Sequence, residues 1–118
     1  MATLSKVKAH CASLPGATSD IKWGQDLCFS VGGKMFAVMC EKGESANTLS
    51  LKVDDHRFLE LTDREGFIPA PYLARAHWVL VKDVRKVGEA ELKALITRSH
   101  AIIASKLPKA TRAKIGVA

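Results

Sequence analysis

The sequence predicts an α+β domain in which an antiparallel sheet of about five strands is joined to three main helices. Three observations carry that expectation. Two apolar-alternating runs flank Gly32-Gly33, a third alternating run covers Leu49 to Val53, and both ends of the chain show helical periodicity. At 118 residues, with 47% hydrophobic and 25% charged residues, the chain reads as one domain over residues 1–118 with an ordinary globular core.

Leu4, Val7, Cys11 and Leu14 recur at spacings of three, four and three, which predicts an amphipathic helix of about three turns. Thr3 is placed to cap it, Pro15-Gly16 ends it, and His10 falls off the apolar stripe as a solvated residue. Asp20 to Trp23 reads as a short strand closed by Gly24. Gly32-Gly33 then fits a two-residue hairpin, because both turn positions require positive φ. The implied register sets Val31 against Lys34, Phe29 against Phe36 and Leu27 against Val38. Leu27, Phe29, Val31, Phe36 and Val38 would form the core face, and Cys28, Ser30, Met35, Ala37 and Met39 an unusually apolar reverse face.

Leu49, Leu51 and Val53 alternate with Ser50 and Lys52 as a half-buried strand. Asp54 or Asp55 is placed to cap a helix over residues 57–64, with Gly66 at its C′ position. Arg64 to Trp78 reads as irregular and is dense in large and charged residues, before Trp78 to Val81 returns to strand. Leu92, Leu95, Ile96, Ser99, Ile102, Ile103 and Lys106 trace one face of a long helix. The Ser99 hydroxyl is expected to bond back to a carbonyl of its own helix. Pro108 stops that helix, and the following basic tail is either docked or a free arm.

Charge is unevenly spread. Residues 1–66 hold 8 Lys/Arg and 9 Asp/Glu, whereas residues 67–118 hold 10 and 3, so the net charge of +6 comes wholly from the second half. Such asymmetry favours an anionic partner, nucleic acid first. Cys11, Cys28 and Cys40 are odd in number and lack C-x-x-C spacing, so they read as buried hydrophobes and not as disulfides or a zinc site. No apolar run reaches the roughly 18 residues of a membrane span, and the first residues lack a signal-peptide core, so a cytoplasmic location is expected. Gly32-Gly33-Lys34 lacks the leading glycine of a phosphate loop.

The runs Leu14-Pro15-Gly16-Ala17-Thr18, Lys22-Trp23-Gly24 and Phe29 to Ala37 are joined by Phe58-Leu59-Glu60-Leu61 and by Ile68 to Trp78. With Ser99-His100 and Lys106-Leu107-Pro108, they closely resemble the MmcQ/YjbR-like family of small bacterial proteins over nearly the whole chain. The most specific of these motifs is Pro69-Ala70-Pro71-Tyr72-Leu73-Ala74-Arg75-Ala76-His77-Trp78. The resemblance implies a two-layer, frataxin-like (CyaY-like) sandwich with helices packed on one side of the sheet. It also implies the "double-wing" description and a proposed role in DNA binding.

No nucleophile–base pair is visible, so a non-enzymatic protein without cofactor is expected. His56 beside Asp54 and Asp55 is the one suggestion of a metal site. Frataxins, however, use an acidic ridge on the first helix, and this first helix has none, so no metal is expected. Under the DNA-binding reading, Lys22, Lys34, Arg75, Lys109, Arg112 and Lys114 would contact phosphates. Trp23 and Tyr72 would approach bases or sugars, and His77 is a further candidate for contact with the nucleic acid. The alternative from another class is a module for a protein or small anionic ligand, seated between the Pro-Ala-Pro loop and the reverse face of the hairpin.

Overall fold

In the computed structural model, residues 2–22, 26–40, 43, 46–70 and 76–116 are described, the side chain of Lys22 excepted. The elements run α1 (Leu4–Ser13), β1 (Ala17–Lys22), β2 (Asp26–Val31), β3 (Lys34–Cys40), β4 (Thr48–Lys52), α2 (Asp55–Thr62), β5 (Phe67–Pro69) and β6 (Trp78–Val81). A 3-10 turn (Val84–Lys86), α3 (Glu89–Ser105) and α4 (Lys109–Lys114) complete the chain. All strand pairs are antiparallel, in the order β1-β2-β3-β4-β6-β5. The sheet therefore has six strands, one more than expected. Phe67–Pro69, inside the stretch read as irregular, zips onto β6 and forms the far edge. A proline is compatible with that edge, where no ladder donor is required of it.

The hairpin forms as the sequence dictates. Gly32 and Gly33 both take positive φ, 57° and 83°, and Val31 pairs with Lys34. Two residues further on, the expected register fails. Ser30 pairs with Met35 but Phe29 pairs with Ala37, so Phe36 is an extra residue on β3. Such a bulge turns every later side chain on its strand to the opposite face. Ala37 and Met39 consequently join the core with Phe29 and Leu27, while Val38 is left half-buried on the reverse face opposite Cys28. Phe36 itself stays in the core, 6.4 Å from the Phe29 ring.

Residues of α1, α2 and α3 join the inner face of the sheet in a single apolar cluster. Val7 and Cys11 come from α1, Leu61 from α2, and Leu92, Leu95, Ile96 and Ile103 from α3. The three cysteines are buried and free, and burial pushes the Cys11 thiol up to about 12. Thr3 caps α1 by accepting the Lys6 N–H at 3.3 Å. His10 is less solvated than its position suggests, because its Nε2 meets Thr97 Oγ1 of α3 at 2.8 Å. Helix α2 stops at Thr62, earlier than expected, and Gly66 (φ 92°) serves the turn into β5 instead.

Two polar groups of α3 enter the core. The Ser99 hydroxyl does not bond back to its own helix. It donates to the Phe36 carbonyl at 2.7 Å and accepts the Lys52 N–H at 3.0 Å. The β3–β4 ladder ends at Ala37–Leu51, so these are the groups that the next rung would have joined had the bulge not parted the strands. At the next residue, His100 Nε2 meets the Pro15 carbonyl at 2.7 Å. A carbonyl only accepts, so this nitrogen carries the hydrogen. The same ring stands edge-on to Phe36 at 5.1 Å.

The C-terminal segment is docked. A Cβ at Gly32 would lie 2.6 Å from Leu107 Cδ1, and one at Gly16 would lie 2.8 Å from Ile115 Cβ. These two bare backbone positions let the residues flanking α4 sit directly on the hairpin tip and on the α1–β1 turn.

Replacing Ser99 with Ala should leave the Lys52 N–H and Phe36 C=O unsatisfied and cost about 1–3 kcal/mol in chemical denaturation. An unchanged midpoint would show that the hydroxyl is dispensable.

Candidate functional site

Strand pairing divides the molecule into two ends. At one lie the hairpin tip, the Lys52–Trp78 rung, the C-terminus of α3 and the segments around α4. Helix α3 begins at the other, where ion pairs are dense. Glu89 meets Lys6 at 3.0 Å and Lys93 at 2.9 Å, and these cations, Lys93 first, hold its carboxyl at about 2. Arg64 grips Glu91 with two bonds of 2.6 and 3.0 Å and lies over the Phe67 ring.

The hairpin end has a different balance. Lys34 follows the Gly32-Gly33 turn that rests on Leu107, and Lys109, Arg112 and Lys114 follow on α4. Lys106 caps the C-terminus of α3 beside them. Lys34, Lys106, Lys109 and Lys114 are exposed and make no ion pair among the described residues. Arg112 is half-buried, with its Nε shielded and unpartnered, so it offers less to solvent than the lysines. The acidic residues at this end are engaged. Asp54 receives two bonds from Arg98, both 2.9 Å, and Asp55 Oδ1 meets His77 Nδ1 at 2.6 Å.

Four expected site residues are thus brought to one end, and His77 lies at its margin. His77 has a left-handed backbone (φ 61°) and its ring meets Phe58 edge-on at 5.2 Å, so it is fixed between α2 and the start of β6. Lys22 is not part of the group. It pairs with Asp26, five residues along β1 from Ala17, which places its backbone about 16 Å from the hairpin tip. Trp23, Tyr72, Arg75 and the side chain of Lys22 lie outside the described residues.

Sequence reasoning missed an open cleft of about 350 Å³ beside this basic end, lined by Lys52, Val53, Asp54, Asp55, His56, Ile102 and Lys106. Lys52 is only 9% exposed, and its ammonium donates to the carbonyl of Ala76. Burial lowers its pKa, and the nearby Lys106 lowers it further. In the sequence Lys52 was simply the polar member of an alternating strand, so only Lys106, placed on the inner face of its helix, hinted at this site. Asp54 occupies the N-cap position of α2 yet makes no cap bond, because Arg98 holds its carboxylate. Among the described residues, no three His, Cys, Asp or Glu side chains gather as a metal site, and no helix is long and apolar enough to cross a membrane.

A family model described as YjbR matches residues 12–102. A crystal structure of a Deinococcus radiodurans protein with a DUF419 domain is similar at 28% identity and a TM-score of 0.86, covering 100% of this chain and 91% of that one. A protein from Pseudomonas syringae shares the fold at 19% identity and a TM-score of 0.68, covering 87% of this chain and 99% of that one. No curated protein matches the chain.

The Arg98 contact, the leading cause, holds the Asp54 carboxyl below 3.8. A lowered carboxylate value adds stability above its unfolded pKa and loses it as pH falls through the folded value. The stability gap between the wild type and Arg98→Gln should therefore be present at neutral pH and close in acid. Denaturation at stepped pH checks this, and a gap that persists in strong acid would place the loss elsewhere.

Proposed function

The chain belongs to the YjbR family, and from the charge arrangement we propose that it is a non-enzymatic DNA-binding protein. The observation that carries this reading is the meeting of Lys34, Lys106, Lys109, Arg112 and Lys114 at the hairpin end, while the carboxylates there are already paired. Exposed ammonium groups without intramolecular partners are suited to neutralising a phosphate backbone. They give up no ion pair on binding and release the counterions condensed on the nucleic acid. Gly32 and Gly16 hold the α4 segment against the body, so its charges are presented on a fixed surface.

Phosphate contacts of this kind supply affinity and orientation but no sequence information. The reading therefore implies binding of low sequence preference, with base contacts left to residues outside the basic cluster. Ala70 and Ala76 adjoin the same end, because the Ala70 N–H donates to Trp78 and the Ala76 carbonyl receives Lys52.

Fluorescence anisotropy with a duplex at several salt concentrations tests the proposal. Affinity should fall steeply with salt, and K109A/R112A/K114A should reduce the logarithmic slope by about 3. Lys22→Ala should leave affinity nearly unchanged. Binding that is insensitive to salt, or equally sensitive to Lys22→Ala, would rule out an interface at this end.

A further inference from the structure

We propose that the cleft between the start of α2 and the end of α3 binds the phosphate group of a small phosphate monoester, with Lys52 and Lys106 as its principal ligands. The cleft is wide open to solvent and holds about 350 Å³, enough for a phosphate and part of the group that carries it. Lys52 and Lys106 are both among its lining residues, and Lys106 disfavours the charge on Lys52. Asp55 and Asp54 act in the opposite sense, but His77 and Arg98 hold their carboxylates, so a bound anion would relieve the repulsion between the two lysines further.

Lys52 is more than nine-tenths buried, so water solvates its amine poorly. One of its three N–H bonds goes to Ala76. The other two have no acceptor among the described residues, and Lys52 is one of the residues that line the cleft. A buried cation left incompletely bonded is costly, and an oxygen-rich dianion would complete its shell.

The helix end contributes in the same sense. The carboxylate that would ordinarily cap α2 is held by Arg98 through two bonds of 2.9 Å. The main-chain N–H groups of Asp55 and His56 have no acceptor among the described residues and stand beside the cleft, at the positive end of the helix. The remaining charges around the cleft are accounted for. Asp54 is neutralised by Arg98, Asp55 is exposed and bonded to His77, and His56 is on the wall. Ile102 and Val53 supply an apolar flank for the carrier group. A dianionic phosphate, with three oxygens to share among two ammonium groups and two amides, suits this donor set better than a carboxylate.

The site shares Lys106 with the basic surface of the DNA-binding reading but uses no residue of α4, so substitutions in α4 separate the failure of one from the failure of the other. The test is amide NMR on the full chain, titrated with inorganic phosphate, phenyl phosphate and, as a control, chloride at matched ionic strength. Saturable shifts at Asp55, His56 and Ile102 are expected with both phosphates, with phenyl phosphate dissociating below about 1 mM, and none with chloride. Lys106→Ala, at an exposed position that should not disturb folding, should weaken binding roughly tenfold, and Lys52→Met by at least as much. K109A/R112A/K114A should leave the titration unchanged. Absent or non-saturable shifts, or equal binding by Lys106→Ala, would overturn the proposal. So would a response to a 5′-phosphorylated strand with none to the small phosphates, which would assign the cleft to nucleic acid ends.

Discussion

One extra residue in β3 governs how the sheet meets its helices. Phe36 has no partner on β2, and its insertion turns Ala37 and Met39 inward while sending Val38 out. Without it the hairpin would place Val38 in the core and Met39 on the reverse face, and the inner rows continuing to Leu49 and Leu51 of β4 would not line up. The bulge also parts β3 from β4 just beyond Ala37–Leu51, leaving a carbonyl and an amide that must be satisfied inside the core. Ser99 satisfies both, and His100 packs against the displaced Phe36 ring. A serine and a histidine in the middle of an apolar helix are thus the counterpart of an irregularity in the sheet.

Most of the architecture was legible in local sequence. The Gly-Gly turn, the Thr3 cap, the buried cysteines and the long helix all follow from spacing or from steric rules that act over a few residues. What escaped was non-local. Nothing near Phe36 announces a bulge, because its cause is packing across the sheet and onto a helix 63 residues later. Helix-interior serine is ordinarily explained within its own helix, and here the partner lay on two strands. Strand β5 was hidden for a similar reason, since three residues beside prolines become a strand only by joining β6.

The candidate surface was legible in part. Charge asymmetry between the two halves pointed to the C-terminal lysines, and the fold gathers them with Lys34 at one end. Lys22 looked equivalent in composition, but strand direction sends it to the other end. Burial of Lys52 could not be read from its alternation pattern, because the carbonyl that receives its amine, that of Ala76, lies 24 residues away in sequence.

The Ser99 bridge has a mechanical side as well. A helix lying on a sheet through apolar contacts alone can slide along its axis at little cost, since side chains of similar size replace one another. A hydroxyl lodged between two strands fixes that sliding coordinate at one point. Lys106 lies seven residues further along the same rod, about 10 Å or two turns, whereas Lys52 is the residue whose amide the hydroxyl holds. Ser99 therefore acts as the zero mark of a ruler that sets the gap between the two lysines. Sequence changes that shift this mark would retune the cleft without touching any residue on its walls.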